Sequence, residues 1–212
     1  SITRSIRASA TRSTWDRGEN MTDVVVAGIG QLPVGEHYEI SLRQLGVRAL
    51  RAAIKDSGGL KPQALYIGNV LASMVSHQAN LGALLTDYAD LDGIEAYTAE
   101  ASGASGAAAL RMGYLAILSG YVDTVAVLGV EKWTDMAHSE SETAAAMGLD
   151  YDYEGIQGLS EAGQAGLLMQ RYLYEHDLPA DALGGFAVQT HANGANNPNA
   201  FFRKAIDLSA YQ

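Results

Sequence analysis

Residues 102–120, SGASGAAALRMGYLAILSG, constrain the fold more than any other stretch. The helix they form is apolar nearly all round, with Arg111 as its one charge. Such a helix is buried on several faces, so the chain has to build a core around it. Short apolar runs recur on either side at the spacing of buried strands. They are TDVVVAGI (22–29), ALYIGNVL (64–71), IEAYTAEA (94–101) and VDTVAVLGVEK (122–132). Helical segments separate them. Ser41, with Gln44 three residues on, reads as a capping box, followed by a stripe of Leu42, Leu45, Ala49 and Ala53; Gly58 and Gly59 stop that helix. Residues 76–89 give a second helix, with Leu81, Leu84, Leu85 and Tyr88 on one side. The order β-α-β-α-β-α-β predicts an α/β layered fold with a mostly parallel sheet.

The texture changes after Trp133. Residues 134–160 are rich in acids, Ser, Thr, Gly and Tyr and read as a surface loop or lid. Residues 162–178 are helical, and Pro179-Ala180-Asp181 starts another helix running to about Thr190. HANGANNPNAFFRK (191–204) is turn-rich. Residues 1–20 are Ser/Thr/Arg-rich, without apolar periodicity, and are expected to be a disordered leader or tag ahead of Met21. The expected organisation is therefore 1–20 leader, 21–133 α/β core, and 134–212 loop and lid region with helices.

Charge and composition narrow the function. The formal net charge is −10, and residues 1–20 hold four Arg against two acids, so the remainder stands at −12. A body this acidic repels phosphate backbones, which argues against nucleic-acid binding. No run of 18 apolar residues occurs, so no membrane-spanning helix is expected. There are no cysteines, which excludes disulfides, thiolate zinc sites and any cysteine nucleophile from this chain.

The turn Ala101-Ser102-Gly103-Ala104-Ser105-Gly106 joins a strand to the apolar helix. Two readings stand. Small residues let a helix start pack closely on a sheet; they also let a backbone approach a ligand, with the first helical amides favouring an anionic or thioester oxygen. The spacing is not G-x-G-x-x-G, and the lysine of a phosphate-binding loop is missing.

From this turn onward the chain resembles the thiolase superfamily, especially its sterol-carrier-type and archaeal branch. Ala104-Ser105-Gly106 matches the A-S-G of the family's C-A-S-G turn. Gly129, Glu131, Lys132 and Thr134 match its later G-x-E-K-x-[ST] segment, and residues 191–204 are similar to its H-x-N-x-x-x-N-P-x-A-x-F stretch. The resemblance spans about Val24 to Lys204 and implies the N-terminal half of a thiolase-like fold. It also implies a coenzyme A thioester as substrate, no covalently bound cofactor, and a cytoplasmic location. Gly103 stands where the family has its nucleophilic cysteine, so only its backbone amide is left for an oxyanion there. Ser102 is adjacent, without an evident base. Ser102, Ser105, Gly106 and His191 are the candidate thioester-binding residues on this resemblance.

The family's second half, with its G-H-P histidine and C-x-G cysteine, has no match here. The expected partners are acyl-CoA and an oligomer, homo- or hetero-, in which another chain supplies that half; a small OB-fold subunit is a further candidate. Three functions remain open on the sequence. They are an acetyl-CoA acetyltransferase-like subunit or fragment, an aldolase-type lyase cleaving a carbon–carbon bond of a CoA thioester, and a non-catalytic scaffold. His191 is either a solvated loop residue or a pantetheine contact. His138 lies in the lid; His37, His77 and His176 lack metal spacing. Glu131 and Lys132 read as a structural pair, and Asp150, Asp152 and Glu154 as a solvated acidic loop.

Overall fold

The computed structural model describes residues 23–211. The expected leader, 1–20, lies outside the described residues. Three parallel strands form the sheet: β1 (Ala64–Gly68), β2 (Glu95–Ala99) and β3 (Val125–Gly129), in the order β2-β1-β3. Each pair is linked through a helix, as parallel pairing requires.

β1 is buried along its whole length because it is covered on both faces. Its alternating side chains split into two cores. Leu65 and Ile67 point to one face, where they meet Leu42, Val47 and Leu50 of α1 (Leu42–Asp56) and Leu81 and Leu85 of α3 (Leu81–Tyr88). Ala64 and Tyr66 point to the other, against Ala109 and Met112 of α4 (Ser105–Leu118). The result is an α/β/α layer arrangement, the expected fold class. The capping box at the start of α1 is present: Gln44 N donates to Ser41 Oγ (3.3 Å), and Ser41 N donates to Gln44 Oε1 (3.0 Å).

One expected strand is not in the sheet. Residues 23–30 form no ladder, and Val25, Val26 and Ile29 are each more than 70% exposed. The strand expected at 22–29 is therefore not formed: the run has strand-type composition, but among the described residues no backbone pairs with it. The helix expected over 76–89 is also shorter. A four-residue helix, α2 (Ala72–Val75), precedes a left-handed residue, Asn80 (φ 53°), and α3 begins after it.

Beyond β3 the chain is helical: α5 (His138–Ala145), α6 (Glu161–Glu175), α7 (Gly184–Ala195) and the short α8 (Leu208–Tyr211). Helix α7 runs through His191 and Asn193, so part of the stretch expected to be turns is helix. It ends at Ala195, and the side chain of the capping Asn196 bonds back one turn: Asn196 Nδ2 donates to Ala192 O (3.1 Å). The segment 196–200 reaches back to the N-terminal region, where Val34 N donates to Asn199 O (2.9 Å).

Candidate active site at the glycine-rich turn

The turn sits at the carboxyl ends of β1 and β2, the end of a parallel sheet where ligands bind. Its place is fixed by a backbone-on-backbone contact. A Cβ on Gly68, the last residue of β1, would lie 2.7 Å from the Gly106 backbone. Only glycine at 68 lets the start of α4 seat this deeply against the strand end.

Ser102–Ala104 form one turn of 3-10 helix leading directly into α4. Ser105 is buried, and its hydroxyl braces the turn: Oγ donates to Ser102 O (2.8 Å) and accepts from Ala101 N (2.8 Å). Ser105 therefore spends its hydroxyl internally. Ser102 holds a left-handed backbone (φ 47°), a strained state for a residue with a Cβ. Its amide is tied to Glu100 Oε1 at 2.6 Å. The Ala104 and Ser105 amides donate to Ala101 O and Ser102 O. The exposed Gly103 amide finds no acceptor among the described residues, and a Cβ built on Gly103 would meet nothing within 4 Å. Position 103 thus offers a donor beside open space large enough for a ligand atom or a side chain.

The segment after β3 returns to this turn. Gly148 closes the 3-10 turn Ala146–Gly148, and a Cβ there would lie 2.6 Å from Ser102 Oγ, so a glycine makes room for the close approach. Sequence reasoning did not single out Gly148; nothing in its own neighbourhood marks it.

Other candidates fall elsewhere. His191 Nδ1 pairs with Lys204 O (3.0 Å), and its ring packs on Phe202, so its partners belong to the C-terminal segment. Gly106 lines a groove bordered by β3 and residues 23–35. Glu131 and Lys132 do not pair with each other, contrary to expectation. Glu131 accepts from Asn69 Nδ2 (2.9 Å), Val70 N (3.1 Å) and Leu71 N (2.9 Å), so it caps the chain leaving β1. The side chain of Lys132 is buried and pairs with Asp135. The two side chains alternate in direction along an extended segment, which separates their partners. No cluster of three metal-ligating side chains occurs among the described residues. No described helix is long and apolar enough to cross a membrane.

On the face of the sheet that α4 covers, Tyr66 donates its hydroxyl to Glu95 Oε1 (2.7 Å). Burial, together with that bond, pushes the Tyr66 phenol up to about 12. Tyr121 is also raised, chiefly by the charge of Glu95.

A three-layer α/β unit that presents a glycine-rich strand–helix turn at the carboxyl end of its sheet is the class defined here. A family model described as thiolase, N-terminal domain, matches residues 24–209, and the chain belongs to that family. The acetyl-CoA acetyltransferase of Methanothermobacter thermautotrophicus is 36% identical over 190 residues, covering 89% of this chain and 49% of the relative. The acetyl-CoA acetyltransferase of Methanocaldococcus jannaschii is 36% identical over 192 residues, covering 89% and 48%. The benzoylsuccinyl-CoA thiolase subunit BbsB of Thauera aromatica is 28% identical over 188 residues. The chain spans about half the length of these relatives. Among solved structures, the Ltp2-ChsH2(DUF35) aldolase superposes with a TM-score of 0.67 at 22% identity, covering 88% of this chain and 47% of that one. That likeness concerns the fold.

Proposed function

We propose that this chain forms one half of a CoA-thioester site and holds the thioester oxygen at the Gly103 amide without becoming acylated there. The carrying observation is the turn itself: at exposed Gly103, just ahead of α4, the amide has no acceptor among the described residues, a Cβ would meet open space, and the chain has no thiol. A donor placed where charge develops on the thioester oxygen stabilises an oxyanion or enolate. Membership of the thiolase family and the acetyl-CoA names of two relatives support the substrate class. Glycine at 103 removes the covalent route, because acyl transfer through an enzyme needs a nucleophile with a base or a lowered pKa. The complementary half, with any base, comes from another polypeptide segment.

A second reading is supported by the absent thiol together with the structural neighbour's being an aldolase. Retro-aldol cleavage of a β-hydroxyacyl-CoA breaks a carbon–carbon bond, releases a carbonyl compound and leaves an enolate that is then protonated. It needs an enolate-stabilising donor but no acyl-enzyme. A small OB-fold subunit is the proposed partner on this reading.

Calorimetry with acetyl-CoA and intact-mass measurement test both. Saturable binding with no acetyl adduct is the expected result. An adduct on Ser102 overturns the non-covalent reading, and absence of binding both alone and with a second half leaves a scaffold. Release of a carbonyl product from a β-hydroxyacyl-CoA, once a partner half is supplied, selects the lyase.

A further inference from the structure

One buried side chain ties together the three strand ends behind the turn. Asn69 follows Gly68, the last residue of β1, and only 7% of it is exposed. Its backbone N–H donates to the carbonyl of Ala99, the last residue of β2 (3.3 Å). Its side chain reaches the other neighbour: Nδ2 donates to Val130 O (2.8 Å) and to Glu131 Oε1 (2.9 Å), just past the end of β3. Oδ1 accepts from Ala72 N (3.1 Å). Val130 O can only accept and Ala72 N can only donate, which fixes the way the amide points.

The parallel ladder itself stops at Gly68, which registers with Ala99 on one side and Gly129 on the other. Adjacent strands are twisted against each other, so their ends spread once the ladder stops. Asn69 extends the clamp by one residue on both sides. Glu131 serves it from β3: one carboxylate oxygen takes Asn69 Nδ2, while the other takes the amides of Val70 and Leu71. The exit of β1 is therefore capped without Asn69. What the Asn69 side chain adds is a hold on the peptide whose N–H reaches β2.

The turn rests on the same two points. The chain enters it from Ala99 through Glu100, whose carboxylate holds the Ser102 amide (2.6 Å), and α4 starts against Gly68. Gly103 stands only a short lead beyond Ala99. A hydrogen bond weakens steeply as its angle falls below about 120°. A donor on so short a lead is aimed by the strand end behind it.

We propose that Asn69 is a positioning residue for the thioester oxygen. Through Ala99 and Gly68 it sets the direction of the Gly103 N–H, and Glu131 orients its amide. This rests on the thioester reading given above. Asn69 is buried and acts through the backbone, so its effect is confined to ligands with a carbonyl oxygen at that position.

The test compares acetyl-CoA with S-ethyl-CoA, a thioether in which a methylene replaces the carbonyl. Calorimetry gives the ratio of the two affinities, and thermal melting reports whether each variant is folded. In the parent the carbonyl tightens binding about 2–12-fold, the worth of one amide–carbonyl hydrogen bond. In Asn69→Ala the ratio falls to about 1, with the affinity for S-ethyl-CoA unchanged. Glu131→Gln is the milder variant. Its oxygen still takes the Val70 and Leu71 amides, but its NH2 group faces that of Asn69, and the ratio falls likewise. The exchange Asn69→Asp/Glu131→Gln restores a donor–acceptor match between the two positions while giving up the bond to Val130 O, so part of the ratio returns. If Asn69→Ala does not fold, Glu131→Gln and the exchange decide. An unchanged ratio in a folded single variant, parallel weakening of both ligands, or no recovery in the exchange overturns the proposal. A parent that binds neither ligand, or both alike, sinks the thioester reading itself and this inference with it.

Discussion

Gly103→Cys asks whether the turn still presents a nucleophile position. The Cβ would meet nothing within 4 Å, and Gly103 is not among the positive-φ glycines. Folding then gains from a stiffer unfolded chain, about 0.4–1 kcal/mol. The thiol would stand at the start of α4, where the helix end favours an anion by about 0.3–1 kcal/mol. Converted at 1.36 kcal/mol per pKa unit, this takes a thiol from its usual 8.5 to about 8. The assay is the pH dependence of iodoacetamide alkylation, and the chain has no other cysteine to interfere. Incubation with acetyl-CoA should then add one acetyl group to the variant and none to the parent. A thiol titrating at or above about 8.5 refutes the claim that the turn favours an anion. Destabilisation beyond about 1 kcal/mol refutes the claim that position 103 is open.

Gly68→Ala drives a methyl into the Gly106 backbone at 2.7 Å, so urea unfolding should show a loss of about 1–3 kcal/mol and calorimetry weaker thioester binding. Glu131→Ala strands three N–H donors at the exit of β1, and chemical denaturation should register a loss of about 1.5–3 kcal/mol. Gly148→Ala places a methyl 2.6 Å from Ser102 Oγ; the Ala146–Gly148 turn should shift away from Ser102, read as faster amide exchange in residues 146–148 with little change in global melting. Tyr66 keeps its proton in the fold up to about pH 12, whereas the unfolded chain sheds it near 10. Its stabilisation is therefore complete below pH 10 and lost as pH rises through 12. Between pH 9 and 12 the parent should lose about 1–2 kcal/mol more than Tyr66→Phe, after allowing for solvent screening at the hydroxyl.

Local chemistry was legible where neighbours in sequence are also neighbours in space. Ser41 and Gln44 close their capping box within one turn, and Gly58 and Gly59 end α1 in the left-handed region (φ 78° and 88°). The turn at 102–106 and the helix after it were placed to within a few residues. What could not be read was the partner of each group. Glu131 adjoins Lys132 in sequence, yet it bonds to residues about sixty positions earlier, because β1 and β3 pair side by side. His191 read as either a solvated loop residue or a pantetheine contact, and its bond to Lys204 O, thirteen residues on, was not legible in that segment.

The sequence alone determined an α/β chain without a thiol, because periodicity, turn residues and the absence of cysteine are properties of the chain itself, and its motifs carried the resemblance to thiolases. Tertiary structure decided the rest. It left Gly103 exposed and Ser105 inside, brought Gly148 close to Ser102, and gave residues 23–30 no paired strand among the described residues. Those outcomes depend on which distant backbones meet, and a strand-forming run fixes its own conformation but not its neighbour.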